Sequence, residues 1–243
     1  MLAIGLAAGQ AQAALFDEFE VHDLDMPAAG EWDLDQHVNW GTRGLNQPGW
    51  PGGVRTNGAG YVSTEIGRGI TRDWTAALYL PAVISGGRLE PVGAKLRNLF
   101  RFYGDDGDGW SFGLLAQIGL LSRPASPGRV VGELRPVVTW RSGPWYVVAG
   151  MGVSAYSGPE ADALLSPQGR LTYTLPSGVN FGLEHYADLG AVGRLGSPAR
   201  QTHQAFATLG APLGPVEVNF GIGRGLTAAS EPWVARLRLG VEF

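Results

Sequence analysis

Trp233-Val-Ala-Arg-Leu-Arg-Leu-Gly-Val-Glu-Phe243 brings the chain to its end in strict alternation. Trp233, Ala235, Leu237, Leu239, Val241 and Phe243 fall on one side, and Arg236, Arg238 and Glu242 on the other. A period of two marks a strand, because successive side chains of a pleated backbone point to opposite faces. The pattern repeats upstream. Within 94–103, Ala94, Leu96, Asn98, Phe100 and Phe102 share one face, while Lys95, Arg97, Leu99, Arg101 and Tyr103 share the other. Within 110–121 the apolar face is Trp110, Phe112, Leu114, Ala116, Ile118 and Leu120. Comparable runs lie near residues 31–40, 58–67, 72–83, 92–103, 110–121, 130–141, 144–154, 168–175, 178–187, 201–210, 215–223 and 232–243, separated by Gly, Pro, Asp and Ser turns. This spacing predicts about twelve strands of roughly the length that crosses a bilayer.

Composition agrees with an all-β chain. The 243 residues include 38 Gly and 16 Pro, which rules out a helix bundle or coiled coil, since helix interiors lose about 1 kcal/mol per Gly and about 3 per Pro. A hydrophobic fraction of 44% with 8 Trp, 7 Tyr and 9 Phe excludes a disordered chain. The net charge of −4 gives no reason to expect a nucleic-acid partner, and Lys95 is the only lysine. With no cysteine, disulfides, thiolate metal sites and cysteine nucleophiles are excluded.

Met1 to Ala14 reads as an apolar run followed by the Ala11-Gln12-Ala13 cleavage pattern of a secretory signal peptide, without a Lys or Arg ahead of it. No later segment reads as a membrane helix: the uncharged stretch Ser142–Pro159 is broken by Pro144, Gly150, Gly152 and Gly158. Connectors alternate in length. Gly104–Gly109, Ser142–Pro144, Pro176–Ser177 and Ala211–Gly214 are short, whereas Gly41–Asn57, Ala155–Pro167 and Asp188–Arg200 are long. A soluble sandwich alternates too, but Trp32, Trp40, Trp74, Trp110, Trp140, Trp145, Trp233 and Phe243 sit at run ends on the apolar face. Aromatics so placed form the girdles of a membrane barrel. The expected fold is therefore all-β: a closed antiparallel transmembrane β-barrel of about twelve strands, with short periplasmic turns and longer outer loops, in the outer membrane of a Gram-negative bacterium. Residues 1–13 are expected to be the signal peptide, 14–29 a periplasmic N-terminal segment, and 30–243 the barrel. The acidic, unstrandlike Ala14–Ala29 would serve as a tether or an inner plug.

Several stretches resemble outer-membrane barrels of the phenol-degradation MetA-pathway type, described as outer-membrane transporters. They are Glu18-Phe-Glu-Val-His-Asp23, Gly30-Glu-Trp-Asp-Leu34, Val92-Gly-Ala-Lys-Leu-Arg-Asn-Leu-Phe-Arg-Phe102, Gly182-Leu-Glu-His-Tyr-Ala-Asp-Leu-Gly190, Gly214-Pro-Val-Glu-Val-Asn-Phe-Gly-Ile-Gly223 and Leu237-Arg-Leu-Gly-Val-Glu-Phe243. The resemblance implies uptake of hydrophobic compounds without a catalytic residue or cofactor. It also implies that Phe243 is a signal to the outer-membrane assembly machinery, with lipid and lipopolysaccharide as surroundings.

The alternation places Lys95, Arg97, Arg101, Arg135, Arg141, Arg170, Arg236 and Arg238 inside the barrel, together with Asp33, Asp35, Glu65, Glu133, Glu184, Glu217 and Glu242. Closure brings Asp33 and Asp35 beside Arg236 and Arg238, Arg170 beside Glu184, and Glu217 beside Arg236. The signs interleave. The charges either brace the wall as an ion-pair ladder or line a pore and tune its selectivity. Gly104-Asp-Asp-Gly-Asp-Gly109 misses the spacing of a calcium loop and reads as a tight turn. His185 and His203 lie on consecutive runs near the outer mouth, but two imidazoles are few, and no metal is expected. The expected function is passive conduction of small or hydrophobic molecules. The alternatives are a plugged structural or surface-binding barrel and a lipid-modifying enzyme.

Overall fold

The computed structural model describes residues 19–158 and 162–243. The expected signal peptide therefore lies outside the described residues. No helix among them is long and apolar enough to cross a membrane, which says nothing of a barrel that crosses with strands.

Twelve long antiparallel strands form the wall: β1 (Trp32–Arg43), β2 (Gly60–Thr71), β3 (Trp74–Ser85), β4 (Gly93–Tyr103), β5 (Gly109–Leu121), β6 (Val130–Ser142), β7 (Trp145–Tyr156), β8 (Leu164–Thr174), β9 (Asn180–Asp188), β10 (Thr202–Leu213), β11 (Val216–Gly225) and β12 (Trp233–Glu242). Each pairs with its sequence neighbours, and β12 returns to pair with β1, so the sheet closes. The seam runs from Asp33 opposite Glu242 to Gly41 opposite Val234, then slips by one residue to set Arg43 opposite Trp233. Below it, Trp32 and Phe243 exchange N–H···O bonds of 2.8 and 2.9 Å.

Turns at the end bearing Phe243 are short. The links Gly143–Pro144 and Gly214–Pro215 place only two residues between strands. Gly143 and Gly214 take φ of +52° and +64° there, left-handed values that a Cβ would strain. The opposite end carries the long connectors, including 44–59, 122–129 and 189–201. A short strand Arg88–Pro91 extends the β3 hairpin, and Gly190–Ala191 pairs with Arg194–Leu195 inside the 189–201 loop.

The outward face is apolar. Leu78, Leu96 and Ile118 lie opposite one another across β3, β4 and β5, and all are exposed. Aromatics rim this belt unevenly. Trp32, Trp74, Trp110, Trp140 and Trp145 stand at the short-turn end with Phe102, Phe181 and Phe243, while Trp40 and Trp233 stand at the loop end. Arginines cap both rims, with Arg68 over Trp32 and Arg224 over Trp233, each 5.0 Å from the ring centre.

Two local readings are corrected. Tyr103 does not share the inward face of Arg101: the register slips between them, Tyr103 pairs with Phe112, and its ring turns outward. One extra residue in a strand reverses every facing beyond it. In addition, 164–167 is strand rather than connector, with Pro167 opposite Met151. Pro136 is likewise in a strand, and the ladder between β6 and β7 lapses at Arg135 and Pro136, where proline has no N–H to give.

If the apolar face meets hydrocarbon, a charge at mid-height is costly. Leu96→Arg should destabilise the barrel by about 2–4 kcal/mol in reversible unfolding from lipid vesicles. An unchanged unfolding midpoint would take this face out of the bilayer.

Candidate functional site: a lumen filled by the amino-terminal segment

The lumen is occupied by the chain's own amino-terminal residues. From Gly30, whose N–H meets the Gly69 carbonyl at 2.8 Å, the segment 19–29 runs back up inside the wall. Its apolar side chains Phe19, Val21 and Leu24 are buried. Phe19 packs against Tyr186 and Phe206, with ring centres 5.4 and 5.0 Å apart. Two glycines make room for it. A Cβ on Gly69 would sit 2.2 Å from the Ala28 carbonyl oxygen, and one on Gly113 would sit 2.5 Å from the Leu24 side chain.

The acidic residues of the segment meet the inward arginines. Asp25 pairs with Arg141 and Asp23 with Arg170. Glu20 lies 3.6 Å from both Arg97 and Arg238. Higher up, Arg236 donates to the Phe19 carbonyl at 2.6 Å, to Glu184 at 2.6 and 3.1 Å, and to Asn219 at 2.8 Å. Tyr186 completes this knot by donating to Glu184 at 2.6 Å. Glu184 and Arg236 are 3% and 6% exposed, so each charge depends on the other in place of water.

The wall holds its own pairs as well. Arg97 binds Glu65 at 2.7 Å, Arg238 binds Asp35 at 2.8 Å, and Arg135 binds Glu133 at 2.7 Å. Lys95 lies 4.8 Å over the Tyr79 ring. Arg101 closes the lower end, donating to Asp73 and the Arg72 carbonyl at 3.1 and 2.8 Å and to Asp106. Its hydrogen bond holds the Asp73 carboxyl below the usual carboxylate range. The Gly104–Gly109 acids are thereby accounted for: Asp106 meets Arg101, Asp105 caps the Gly107 N–H, and Asp108 accepts from Gly143.

Three expected neighbours differ from the structure. Arg170 stands opposite Glu184 in the register but pairs with Asp23, and Glu184 pairs with Arg236 instead. Glu217 does not reach Arg236, which lies deeper and takes Asn219; Glu217 and Glu242 are exposed at the lower rim. Asp33 is the third: Arg238 takes Asp35, and Asp33 faces the backbone of Gly67.

Glu20, His37 and Glu65 bring three ligand-type atoms within 4.8 Å of one another. Arg97 is already 2.7 Å from Glu65 and 3.6 Å from Glu20, so a guanidinium supplies the positive charge that these carboxylates require. Sequence reasoning missed Glu20, His22 and His37. Their only signal was an acidic stretch next to a strand whose inward positions read Asp33, Asp35, His37 and Asn39.

Above the segment, a small cavity of about 70 Å³ lies toward the loop end. Lys95, Glu133, Arg135 and Asp188 line it together with Leu121, Val131 and Leu164. The loop 44–59 leans over this mouth. Trp50 Nε1–H donates to the Arg123 carbonyl at 2.7 Å, and Val54 N–H to the Pro124 carbonyl at 3.3 Å. On its other side, Leu45 N–H and the Thr56 hydroxyl donate to Glu231 at 2.9 and 2.5 Å. Burial raises the Glu231 carboxyl above the usual range, although both donors oppose the shift.

No family model matches the chain, and no curated protein matches it. Solved structures do. An outer-membrane channel from Pseudomonas putida F1 aligns over 93% of this chain and 100% of its own, with a TM-score of 0.64 and 13% identity. The NanC porin aligns over 87% and 98%, with a TM-score of 0.58 and 12% identity. The KdgM porin, solved in complex with disordered oligogalacturonate, aligns over 88% and 98%, with a TM-score of 0.54 and 9% identity. The fold is that of the outer-membrane β-barrel channels.

Removing one partner of the buried pair strands the other. Arg236→Met should cost about 3–5 kcal/mol in denaturant unfolding, and adding Glu184→Leu should recover most of it. Equal costs for the single and double variants would mean that the pair holds nothing.

Proposed function

We propose that the chain is a passive outer-membrane channel for small solutes, kept narrow by its own residues 19–29. The observation that carries this reading is the cavity above the segment: the lumen is not packed solid at its loop end, and charged and apolar wall residues face the space that remains. Its lining joins charged groups to Leu121, Val131 and Leu164, which supports a solute with an apolar body and a polar end. Inward charges are largely paired, so strong anion or cation selectivity is not expected. The resemblance of the motifs quoted above to the phenol-degradation MetA-pathway type supports uptake of hydrophobic compounds. The outward apolar belt and the barrel fold support residence in a Gram-negative outer membrane, among lipid and lipopolysaccharide.

A second reading, a permanently plugged structural barrel, is favoured by the ion pairs of Asp23 and Asp25 with Arg170 and Arg141. Planar-bilayer recording separates the two. The parent protein should show small, steady conductance, and the Asp23→Asn/Asp25→Asn variant should conduct several-fold more. No conductance in the parent, with large steps in the variant, would make the barrel plugged at rest. Silence in both would overturn the channel.

We also propose Phe243 as the assembly signal. Its backbone bonds to Trp32 belong to the seam and survive a change of side chain. Phe243→Ala should therefore lower the amount of heat-modifiable barrel in outer membranes while refolding normally in detergent. Unchanged insertion in cells removes that role.

A further inference from the structure

We propose that His185 and His203 form a binding site for a divalent transition-metal ion on the outer wall of the barrel, selective for the copper and zinc class. Glu184, Tyr186 and Asp188 are buried on the inner face of β9, so His185 points outward by alternation. His203 points outward from β10 in the same way, between the buried Thr202 and Gln204. The register sets His185 opposite Ala205 and Ala187 opposite His203, which makes the two imidazoles diagonal neighbours. Their rings stack at 29° with centres 5.3 Å apart, and His185 Nε2 lies 3.2 Å from His203 Nδ1. Both residues are half-buried near the loop end of the wall.

The hydrogen bonding around them fixes the tautomer. Gln201 Nε2 donates to the Gly196 carbonyl at 2.8 Å, which settles which way the amide lies. Its Oε1 then faces His203 Nε2 at 3.2 Å. An amide oxygen can only accept, so His203 Nε2 carries the proton and His203 Nδ1 presents a lone pair toward His185. The His203 backbone is held too, its N–H donating to Ser230 Oγ at 2.8 Å and its carbonyl accepting from the same hydroxyl at 2.9 Å. A ligand imidazole oriented through its far nitrogen by an acceptor is the usual outer arrangement of a protein metal site.

The spacing fits. With metal–nitrogen bonds of about 2.0–2.1 Å, two ligands of a tetrahedral ion stand about 3.3 Å apart, close to the 3.2 Å seen here. Without metal, His185 Nε2–H donates to His203 Nδ1. On binding, that proton moves through water to His185 Nδ1, the ring stays neutral, and both facing nitrogens offer lone pairs. Water fills the remaining positions. Two imidazoles and no thiolate favour copper(II) first, then zinc or nickel, over magnesium or calcium.

The test uses the full barrel, produced without a histidine tag, folded in detergent and washed with chelator. Copper(II) is titrated in and followed by electron paramagnetic resonance, and zinc(II) by its effect on thermal unfolding. One copper per chain with nitrogen hyperfine structure is expected, together with a zinc-dependent rise in the unfolding midpoint. His185→Gln and His203→Gln should each abolish both effects. Gln201→Leu should weaken copper binding about 10–100-fold and leave the fold intact. His22 and His37 are buried on the inside, so His22→Asn should keep the signal. A copper signal that persists when His185 and His203 are both replaced overturns the proposal, as does a parent that binds neither ion.

Discussion

A strand that crosses hydrocarbon cannot leave its N–H and C=O groups unpaired, since each would cost several kcal/mol with no water to answer it. That single constraint dictates the rest of this molecule. It forces β12 back onto β1, and because that closing pair is antiparallel the number of crossings is even, so that both ends of the barrel chain meet at Trp32 and Phe243. It also turns the usual protein inside out. Leucines and aromatics go to the exterior, and most of the strands' polar and charged side chains are enclosed.

Enclosure creates a second problem, because charged side chains inside a barrel must find partners or water. Here the solution comes from three places. Wall residues pair across neighbouring strands, as Arg238 does with Asp35; wall residues pair across the lumen, as Arg236 does with Glu184; and the amino-terminal segment supplies Glu20, Asp23 and Asp25. The lumen is thus a core of ion pairs with a small apolar cluster of Phe19, Tyr186 and Phe206 set within it. A small cavity remains at the loop end, beneath residues 44–59.

How much of this could be read from residues alone follows the same physics. Alternation is local, so the facings of Lys95, Arg97, Arg135, Arg236 and Arg238 were legible one strand at a time. Partners were legible only where adjacent strands supply them, as for Asp35 and Arg238. Arg170 was assigned the partner its register offers, because nothing in an irregular acidic stretch reveals that Asp23 would compete for it. Tyr103 was misplaced because a bulge leaves no mark in composition. The order around His203 was hidden for another reason. Gln201 is two residues away, yet its amide is oriented by Gly196, across a loop with no periodicity to read.

Arg236 grips the carbonyl of Phe19 across 217 positions of sequence, and it does so from the last strand of the wall. Contacts of such separation form late, since the entropy of closing the intervening loop is met before any reward arrives. Residues 19–29 are therefore secured only after the wall that encloses them. Throughout assembly this segment must wait beside a large, sticky, half-formed sheet without adhering to it in the wrong place. Its carboxylates suit that interval: unpaired, they keep the waiting chain hydrated, and they lose their water only when the arginines of the completed wall are there to replace it.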